Sequence, residues 1–366
     1  MIVKDLKPIR NRPAHVVIDS AAFAHNLSRV KELTSNADIM AVIKADGYGH
    51  GMEVAADALN GADEFAVNSL DDVYRMRTHG VSKRLNVLSA QLTLEQLNSL
   101  AELNVRPVFY DLAQLNLYEQ IKPDAGLSIW IKVDTGMGRL GVLPDELSFV
   151  YQRLANVEGI SSINVMTHLA NADKANHPSN VEQISAIEAK ASLFEFDQTS
   201  ILNSAGIVNF SNAQADIVRP GVMLYGISPV IGVSAAELDL KPVMTFKSQL
   251  ISVKSLPAGS AIGYGSSYSL DVNSRIGIVA CGYGDGYPRH APNGTLVMVN
   301  GLYVPLVGRV SMDMLAVDLG ELPAQIGDEV ILWGEANPIE DLAESAQTIA
   351  YELCCGILPR VERIVI

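Results

Sequence analysis

The chain has 366 residues, 48% of them apolar and 19% charged, and its 27 basic and 41 acidic side chains give a net charge of −14. This apolar content excludes intrinsic disorder, and the length fits about two domains, or one α/β barrel of about 250 residues with a companion domain. Nucleic-acid partners are disfavoured because the sequence has no basic block, and no apolar run is long enough to span a membrane. The beginning of the chain lacks the apolar core of a signal peptide, and three cysteines do not make a disulfide framework, so we expect a cytoplasmic protein.

Short apolar runs alternate with helical patterns up to about residue 220. Eight runs are typical of strands: 38–43, 64–67, 85–88, 106–109, 128–133, 162–166, 200–202 and 217–218. Helical patterns lie between them, and Thr93 to Gln96 has the pattern of a capping box. Alternating strands and helices predict parallel strands with helical crossovers. Residues 1–235 are therefore predicted to form a (β/α)8 TIM-like barrel.

The pattern changes after residue 235. Short β-like runs follow at 250–253, 276–280, 296–299, 302–307, 315–319 and 329–332. Asn300-Gly301 between two of them is a strong hairpin signal. Residues 236–366 are therefore predicted to form a mostly antiparallel β domain with one helix near Ile339 to Ala350. We expect the first dozen residues to pack on this second domain.

Polar and basic side chains follow the predicted barrel strands, at the rim where a parallel barrel has its active site. Lys44 is the most informative of them, because it follows the apolar run Met40 to Ile43 and precedes a glycine-rich segment. A lysine at an apolar barrel mouth has its charged form disfavoured, which lowers its pKa and favours Schiff-base chemistry. The competing interpretation is an ordinary surface lysine whose amine reaches water.

The segment Val42–Gly51, VIKADGYGHG, resembles the pyridoxal 5'-phosphate (PLP) lysine motif of the alanine racemases. Five further segments resemble that family in its order and spacing: Ile131–Gly141, Val218–Gly226, Gly263–Gly265, Gly282–Tyr287 and Val307–Met314. The resemblance covers nearly the whole chain. It implies a (β/α)8 barrel followed by a β domain. It also implies a PLP-dependent interconversion of L-alanine and D-alanine, which supplies D-alanine for cell-wall peptidoglycan.

The resemblance implies a role for each matched barrel residue. Lys44 would carry the PLP and act as one catalytic base. Arg219 would contact the pyridine nitrogen and disfavour its protonation, which weakens the electron sink and limits side reactions such as transamination. The residues implied around the cofactor phosphate are Tyr48, Asn203, Ser204, Gly221 and Val222.

The resemblance also implies where the substrate binds. Arg139 and the backbone of Met312 would receive its carboxylate, and Tyr283 and Asp313 would line the entrance. Lys132 corresponds to a lysine that this family often carries N-carboxylated, and the resulting carbamate anion would position Arg139.

A second base is implied by Tyr264, which the family places in the active site of the partner subunit. The catalytic unit would therefore be a homodimer. A phenol has an ordinary pKa of about 10, so nearby positive charge is needed for a base near neutrality. His168 would lie behind Tyr264 and relay to Arg219.

One departure from the family pattern leaves the substrate range open. Pro359 stands where the family often has a tyrosine that contacts the phosphate and crowds the pocket. An amino-acid racemase of broader specificity, acting for example on serine, therefore remains an alternative.

Other functions fit the sequence less well. A barrel-type PLP amino-acid decarboxylase would place an acid, not Arg219, at the ring nitrogen and would have a Gly-Gly-Gly phosphate loop. A non-catalytic PLP carrier would resemble the barrel alone. A metal hydrolase needs clustered ligands, and His168 and His177 do not form a ligand pattern, so no metal is expected.

Overall fold

The computed structural model describes residues 12–34, 36–123 and 125–366, which form two units. One unit is Ser20–Lys241, and the other combines residues 12–19 with Pro242–Ile366. The sequence-based boundary lies at 235/236. Of the first dozen residues, which we expected to pack on the second unit, residues 1–11 lie outside the described residues. Arg12 is described, and its Nε donates to Asp285 Oδ1 at 3.1 Å.

The first unit contains an eight-stranded parallel sheet. Its strands are Asp38–Val42, Glu64–Val67, Leu85–Val87, Val105–Phe109, Leu127–Lys132, Ile160–Met166, Thr199–Ser200 and Ile217–Val218. The last strand pairs with the first, and a parallel bridge between Asn203 and Arg219 joins the ends of the last two. The sheet therefore closes, and the predicted (β/α)8 barrel is confirmed.

Helices connect the barrel strands, and local sequence signals set where several of them begin. Their bounds are Ser20–Leu33, Met52–Ala58, Leu70–His79, Leu94–Leu100, Leu115–Tyr118, Leu147–Leu154, Pro178–Ala191 and Ser204–Asn209. The predicted capping box is confirmed, because Thr93 and Gln96 bond reciprocally at the start of the fourth helix. Pro178 occupies the first turn of its helix, where a missing N–H costs nothing.

The barrel lumen is filled with side chains. Its buried core consists of Met40, Val42, Ala66, Val108, Trp130, Met166 and Ile217. The Trp130 ring N–H donates to Asn86 Oδ1 at 2.8 Å, and Asn86 in turn donates to Glu64 Oε2 at 2.9 Å. Because the lumen is a packed core rather than a pore, chemistry is restricted to the rim where the strands end.

The second unit contains a closed antiparallel barrel. Among the described residues its six strands are Met244–Leu256, Ser274–Val279, Leu315–Asp318, Leu302–Val307, Leu296–Val299 and Glu329–Trp333, in order of pairing. His15–Ile18 pairs antiparallel with the first of these strands and parallel with Glu362–Val365. Ala261–Ile262 and Tyr268–Ser269 form a separate antiparallel pair. The predicted mostly antiparallel β domain is confirmed.

Local geometry confirms one prediction in this unit and corrects another. Asn300 and Gly301 have φ of 49° and 79°, the pair of positive angles that a type I′ hairpin needs. The single helix expected near Ile339 to Ala350 is instead two helices, Ile339–Ser345 and Ala350–Cys355. Gln347 between them has φ of 56°, which a right-handed helix cannot include. Throughout the described residues, no helix combines the length and hydropathy needed to cross a membrane.

Candidate active site

Lys44 begins an unusual turn directly after the first barrel strand. Ala45, Asp46 and Gly47 have φ/ψ of 54°/50°, 53°/47° and 59°/46°, and Tyr48 continues with φ of 51°. These angles are those of a left-handed helix, which costs a non-glycine residue about 1–2 kcal/mol. Strain of this kind persists only where surrounding contacts enforce it, and it concentrates at functional sites.

Hydrogen bonds hold this left-handed turn at the strand end. Gly47 N–H donates to Ile43 O at 2.9 Å, and Gly49 N–H donates to Ala45 O at 3.0 Å. The buried His50 places Nδ1 3.1 Å from Gly47 O and 2.9 Å from Tyr48 O. Carbonyl oxygens only accept, so Nδ1 carries the ring proton. These bonds fix the backbone from Lys44 to Tyr48 at the end of the first barrel strand.

The residues expected around a phosphate meet at the same rim. Gly221 N–H donates to the buried Ser204 hydroxyl at 2.8 Å, and a Cβ on Gly221 would lie only 2.7 Å from Tyr48 Oη. Asn203 caps the helix that Ser204 begins. Val222, also buried, follows Gly221 at the start of a short 3-10 helix. Hydroxyl and amide groups crowded around a glycine fit a phosphate, since a side chain there would fill the space.

Four cationic side chains interact at the barrel mouth. Burial, and after it the positive charges of Arg219, Arg139 and Lys44, lower the pKa of Lys132 to about 8, while Asp134 opposes them. The site is thus strongly positive within a protein of net charge −14. Such a concentration of positive charge attracts anionic groups such as phosphate and carboxylate.

Arg219 is buried without a carboxylate partner among the described residues. Its guanidinium donates instead to Ser200 Oγ and to the Thr167 carbonyl. Burial lowers its pKa to about 10, so it is still a cation at neutral pH. Next to it, burial and then the charge of Arg219 lower the pKa of His168 well below its ordinary value, so this imidazole is neutral.

Asp134 organises the loop that leads to Arg139. Its Oδ1 accepts from the N–H groups of Gly136, Met137 and Gly138 at 3.0, 2.8 and 3.1 Å, and its Oδ2 accepts from Arg139 N–H at 3.0 Å. Burial raises the carboxyl pKa, but these four bonds outweigh it and hold the pKa below its usual range. No role was predicted for Asp134 from sequence, although an aspartate before a glycine-rich turn is the expected signal for such bonds.

The site residues predicted in the second unit gather around the segment 308–314. Tyr264 starts a short 3-10 helix next to Arg309 and has 70% of its surface exposed. Tyr283 N–H donates to Ser311 O at 3.0 Å, which brings that loop alongside Met312. Met312 N–H has no hydrogen-bond partner within the described ranges. Two tyrosines and one backbone donor therefore share one exposed surface.

Comparison with known proteins matches both units. The family model described as "Alanine racemase, N-terminal domain" matches residues 18–229, and "Alanine racemase, C-terminal domain" matches residues 243–365. The chain belongs to the alanine racemase family. The alanine racemase of Shewanella piezotolerans is 43% identical over 346 residues, which are 94% of this chain and 96% of that protein. The alanine racemase of Nitrosomonas eutropha is 42% identical over 358 residues, 96% and 99% of the two chains.

Solved structures agree with this membership. The biosynthetic alanine racemase of Pseudomonas aeruginosa superposes with a TM-score of 0.94 at 39% identity, covering 97% of this chain and 99% of that one. The alanine racemase of Acinetobacter baumannii superposes with a TM-score of 0.92 at 36% identity, covering 97% of this chain and 100% of that one. The predicted family, fold class and amino-acid racemase activity are thereby confirmed.

Arg360 contacts Asp313 and Met312, two of the predicted site residues, although no role was predicted for it from sequence. It pairs with Asp313 Oδ1 and with the buried Asp285, both at 2.9 Å, and donates to Met312 O at 3.3 Å. It thus ties the loop that begins after the exposed Pro359 to the predicted substrate entrance at Asp313. No local pattern distinguishes this arginine in the sequence. In the part of the chain that the structure describes, no cluster of three or more potential ligands could hold a metal ion.

Proposed function

We propose that this chain is a PLP-dependent alanine racemase that interconverts L-alanine and D-alanine with two bases, Lys44 and the partner subunit's Tyr264. The observation that carries the proposal is the strand-end Lys44 beside three further cations and a glycine-lined phosphate cradle. Family membership supports the same assignment.

The residues at the barrel mouth fit PLP. Ser204, Tyr48 and the N–H groups of Gly221 and Val222 would hold its phosphate, and Lys44 would hold it covalently. When bound, PLP delocalises the negative charge left at the substrate Cα after a proton is removed. The buried Arg219, charged at neutral pH, would face the ring nitrogen and keep a proton off it.

Arg139 and Met312 N–H would bind the substrate carboxylate. Lys132 supports Arg139 once its amine carries a carboxyl group, because the resulting anion attracts the guanidinium. Only a neutral amine reacts with CO2, and a pKa of about 8 leaves a useful neutral fraction near neutral pH. The surrounding cations then stabilise the carbamate.

Inversion at Cα needs a proton delivered to the face opposite its removal, and two bases on opposite faces do this without either base or substrate having to move. Lys44 is fixed on one side of the site, and Tyr264 of the partner subunit would stand on the other. On the single chain, the exposed fractions of Tyr264, Tyr283 and Met312 are 70%, 37% and 52%. Exposed aromatic and apolar side chains that lie together indicate a surface that a partner covers, and this supports a homodimer. Neutral His168 would link the phenol to Arg219 by hydrogen bonds.

The first experiment incubates the purified protein with L-alanine and separates the products by chiral chromatography. Borohydride reduction followed by mass spectrometry should place a pyridoxyl group on Lys44. A pyridoxyl group on another lysine contradicts the assignment. Serine in parallel tests the broader racemase activity that the exposed Pro359 leaves open.

The second experiment separates the two bases. Tyr264→Phe should slow proton removal from L-alanine much more than from D-alanine, as measured by deuterium exchange at Cα. Mixing Lys44→Ala and Tyr264→Phe chains should restore some activity, because half of the sites in a mixed dimer would have both bases. Equal losses for both enantiomers would exclude the two-base assignment.

The proposed product, D-alanine, is a building block for cell-wall peptidoglycan, and we place the enzyme in the cytoplasm where that block is made. Buried free thiols at Cys281 and Cys354 support a reducing compartment. Its partners are then alanine and a second copy of itself, with neither nucleic acid nor membrane.

A further inference from the structure

Three charged side chains beside the left-handed turn have no part in the proposed chemistry. Arg75, on the helix Leu70–His79, places Nη2 2.7 Å from Asp46 Oδ1. The same guanidinium donates through Nε and Nη2 to both carboxylate oxygens of Glu53. Asp46 belongs to the turn and Glu53 to the helix that follows it, so Arg75 joins both to a third element.

The turn needs contacts from outside because its own residues do not favour it. Ala45, Asp46 and Tyr48 have positive φ, a conformation that persists only where the surroundings enforce it. On the buried side the His50 ring bonds to the turn carbonyls. On the outer side Asp46 Oδ1 accepts from Met52 N–H at 3.2 Å and pairs with Arg75.

The helix that carries Arg75 is fixed independently of the turn. Ser69 caps its start by accepting from Asp72 N–H, and Gly80 ends it in the left-handed region. Val73 and Met76 are fully buried in the barrel wall. The guanidinium therefore offers the turn a point of attachment that does not move with it.

We propose that Arg75 is a positioning residue for Lys44, acting through Asp46 to keep the left-handed turn formed. The proposal rests on the proposed function, in which Lys44 carries PLP and moves a proton. Proton transfer needs the amine placed to well within 1 Å, so a turn that samples other conformations slows the reaction even though every catalytic group is present.

Hydrogen exchange on the purified PLP-bound protein tests the first part of the proposal, that Arg75 keeps the left-handed turn formed. The amides of Gly47, Gly49 and Gly51 close the turn and report its opening. Arg75→Gln should make them exchange about 3- to 10-fold faster, the range expected for losing two partly exposed ion pairs, those with Asp46 and Glu53. The matched control is Arg153→Gln, which breaks the ion pair with Glu119 elsewhere on the barrel surface and should leave these amides unchanged.

Combined substitutions and kinetics test the second part of the proposal, that the turn positions Lys44. Asp46→Asn keeps an acceptor for Met52 N–H but loses the ion pair, so adding it to Arg75→Gln should cost little more than either change alone. Arg75→Lys keeps the charge but not the paired bonds to Glu53, and should give an intermediate exchange rate. In Arg75→Gln the kcat should fall by a similar factor with KM for alanine nearly unchanged.

Two results would overturn the proposal. In the first, the turn amides exchange no faster in Arg75→Gln than in the control Arg153→Gln. In the second, the effects of Arg75→Gln and Asp46→Asn on amide exchange simply add in the double variant. Borohydride labelling of the wild type reports separately on the proposed function. If Lys44 carries no pyridoxyl group, that function fails, whereas hydrogen exchange measured without PLP still tests the attachment of the turn to Arg75.

Discussion

Asp134→Asn and Asp134→Ala together measure how the carboxylate holds the loop before Arg139. Oδ1 accepts three backbone bonds, and Oδ2 accepts only the bond from Arg139 N–H. The asparagine oxygen can replace Oδ1, but its NH2 group cannot accept the Arg139 bond. The first substitution thus removes one bond and the second removes four.

The expected losses follow from this count. A hydrogen bond to a charged group contributes about 1.5–3 kcal/mol, and the low end applies here because water reaches this partly exposed loop. Bonds to one carboxylate do not add independently, so we expect a loss in unfolding free energy at pH 7 of about 1.5 kcal/mol for Asp134→Asn and about 3 kcal/mol for Asp134→Ala. Because the folded-state pKa is lowered, the wild-type advantage is complete above the unfolded pKa of about 3.9 and disappears as pH falls through the folded-state pKa.

Urea unfolding across this pH range, together with steady-state kinetics, tests the reasoning. Asp134→Asn should raise KM for alanine by about 3- to 10-fold with a smaller change in kcat, because it frees the backbone of the proposed carboxylate-binding Arg139. Asp145→Asn is the matched control, since Asp145 pairs with Lys190 outside the loop. Equal destabilisation by the two Asp134 variants, or an unchanged KM in a destabilised Asp134→Asn protein, would refute the idea that Asp134 holds the loop before Arg139.

Three further predictions concern the barrel mouth. Gly221→Ala should weaken PLP binding by about 10- to 100-fold in titrations of the apo-protein, because the new methyl group meets Tyr48 Oη at 2.7 Å; Gly61→Ala, on the surface, should not. When a fixed concentration of dissolved CO2 is restored to protein depleted of it, activity should return faster as pH rises from 6 to 8, because the neutral fraction of Lys132 grows from about 1% to about half; a pH-independent return would argue against carboxylation. Arg219→Glu should slow racemisation and raise the share of transamination, measured as pyruvate release, and an unchanged product ratio would remove Arg219 from the ring nitrogen.

The barrel was predictable from sequence because each of its strands is a short apolar run followed by a helical pattern. The second unit was less predictable from its sequence. The strand Met244–Leu256 begins six residues before its predicted start at 250, because its polar residues alternate with buried ones. His15–Ile18 gave no signal that it belongs with residues more than 200 positions away, since pairing between distant strands leaves no local pattern.

The catalytic rim was predictable for a topological reason: parallel strands bring their carboxyl ends, and so Lys44, Lys132 and Arg219, to one edge. The left-handed turn could not be predicted, because Ala45 and Tyr48 have no preference for positive φ. The contact between Arg75 and Asp46 could not be predicted either, because it joins side chains on separate elements. Sequence thus indicates which groups reach the rim, while their attachment depends on tertiary contacts.

The pairing of His15–Ile18 has a consequence for the order of events during synthesis. This strand leaves the ribosome early, yet its partners Met244–Leu256 and Glu362–Val365 follow only after the whole of Ser20–Lys241. The larger barrel is contiguous in the chain, so it can fold while synthesis continues, as domains generally do. Until its partners are made, His15–Ile18 has both edges unpaired, and unpaired strand edges can pair with other chains. The last four-residue strand covers one of them, so shortening the chain before Glu362 should increase aggregation of newly made protein rather than merely lower the stability of the finished fold.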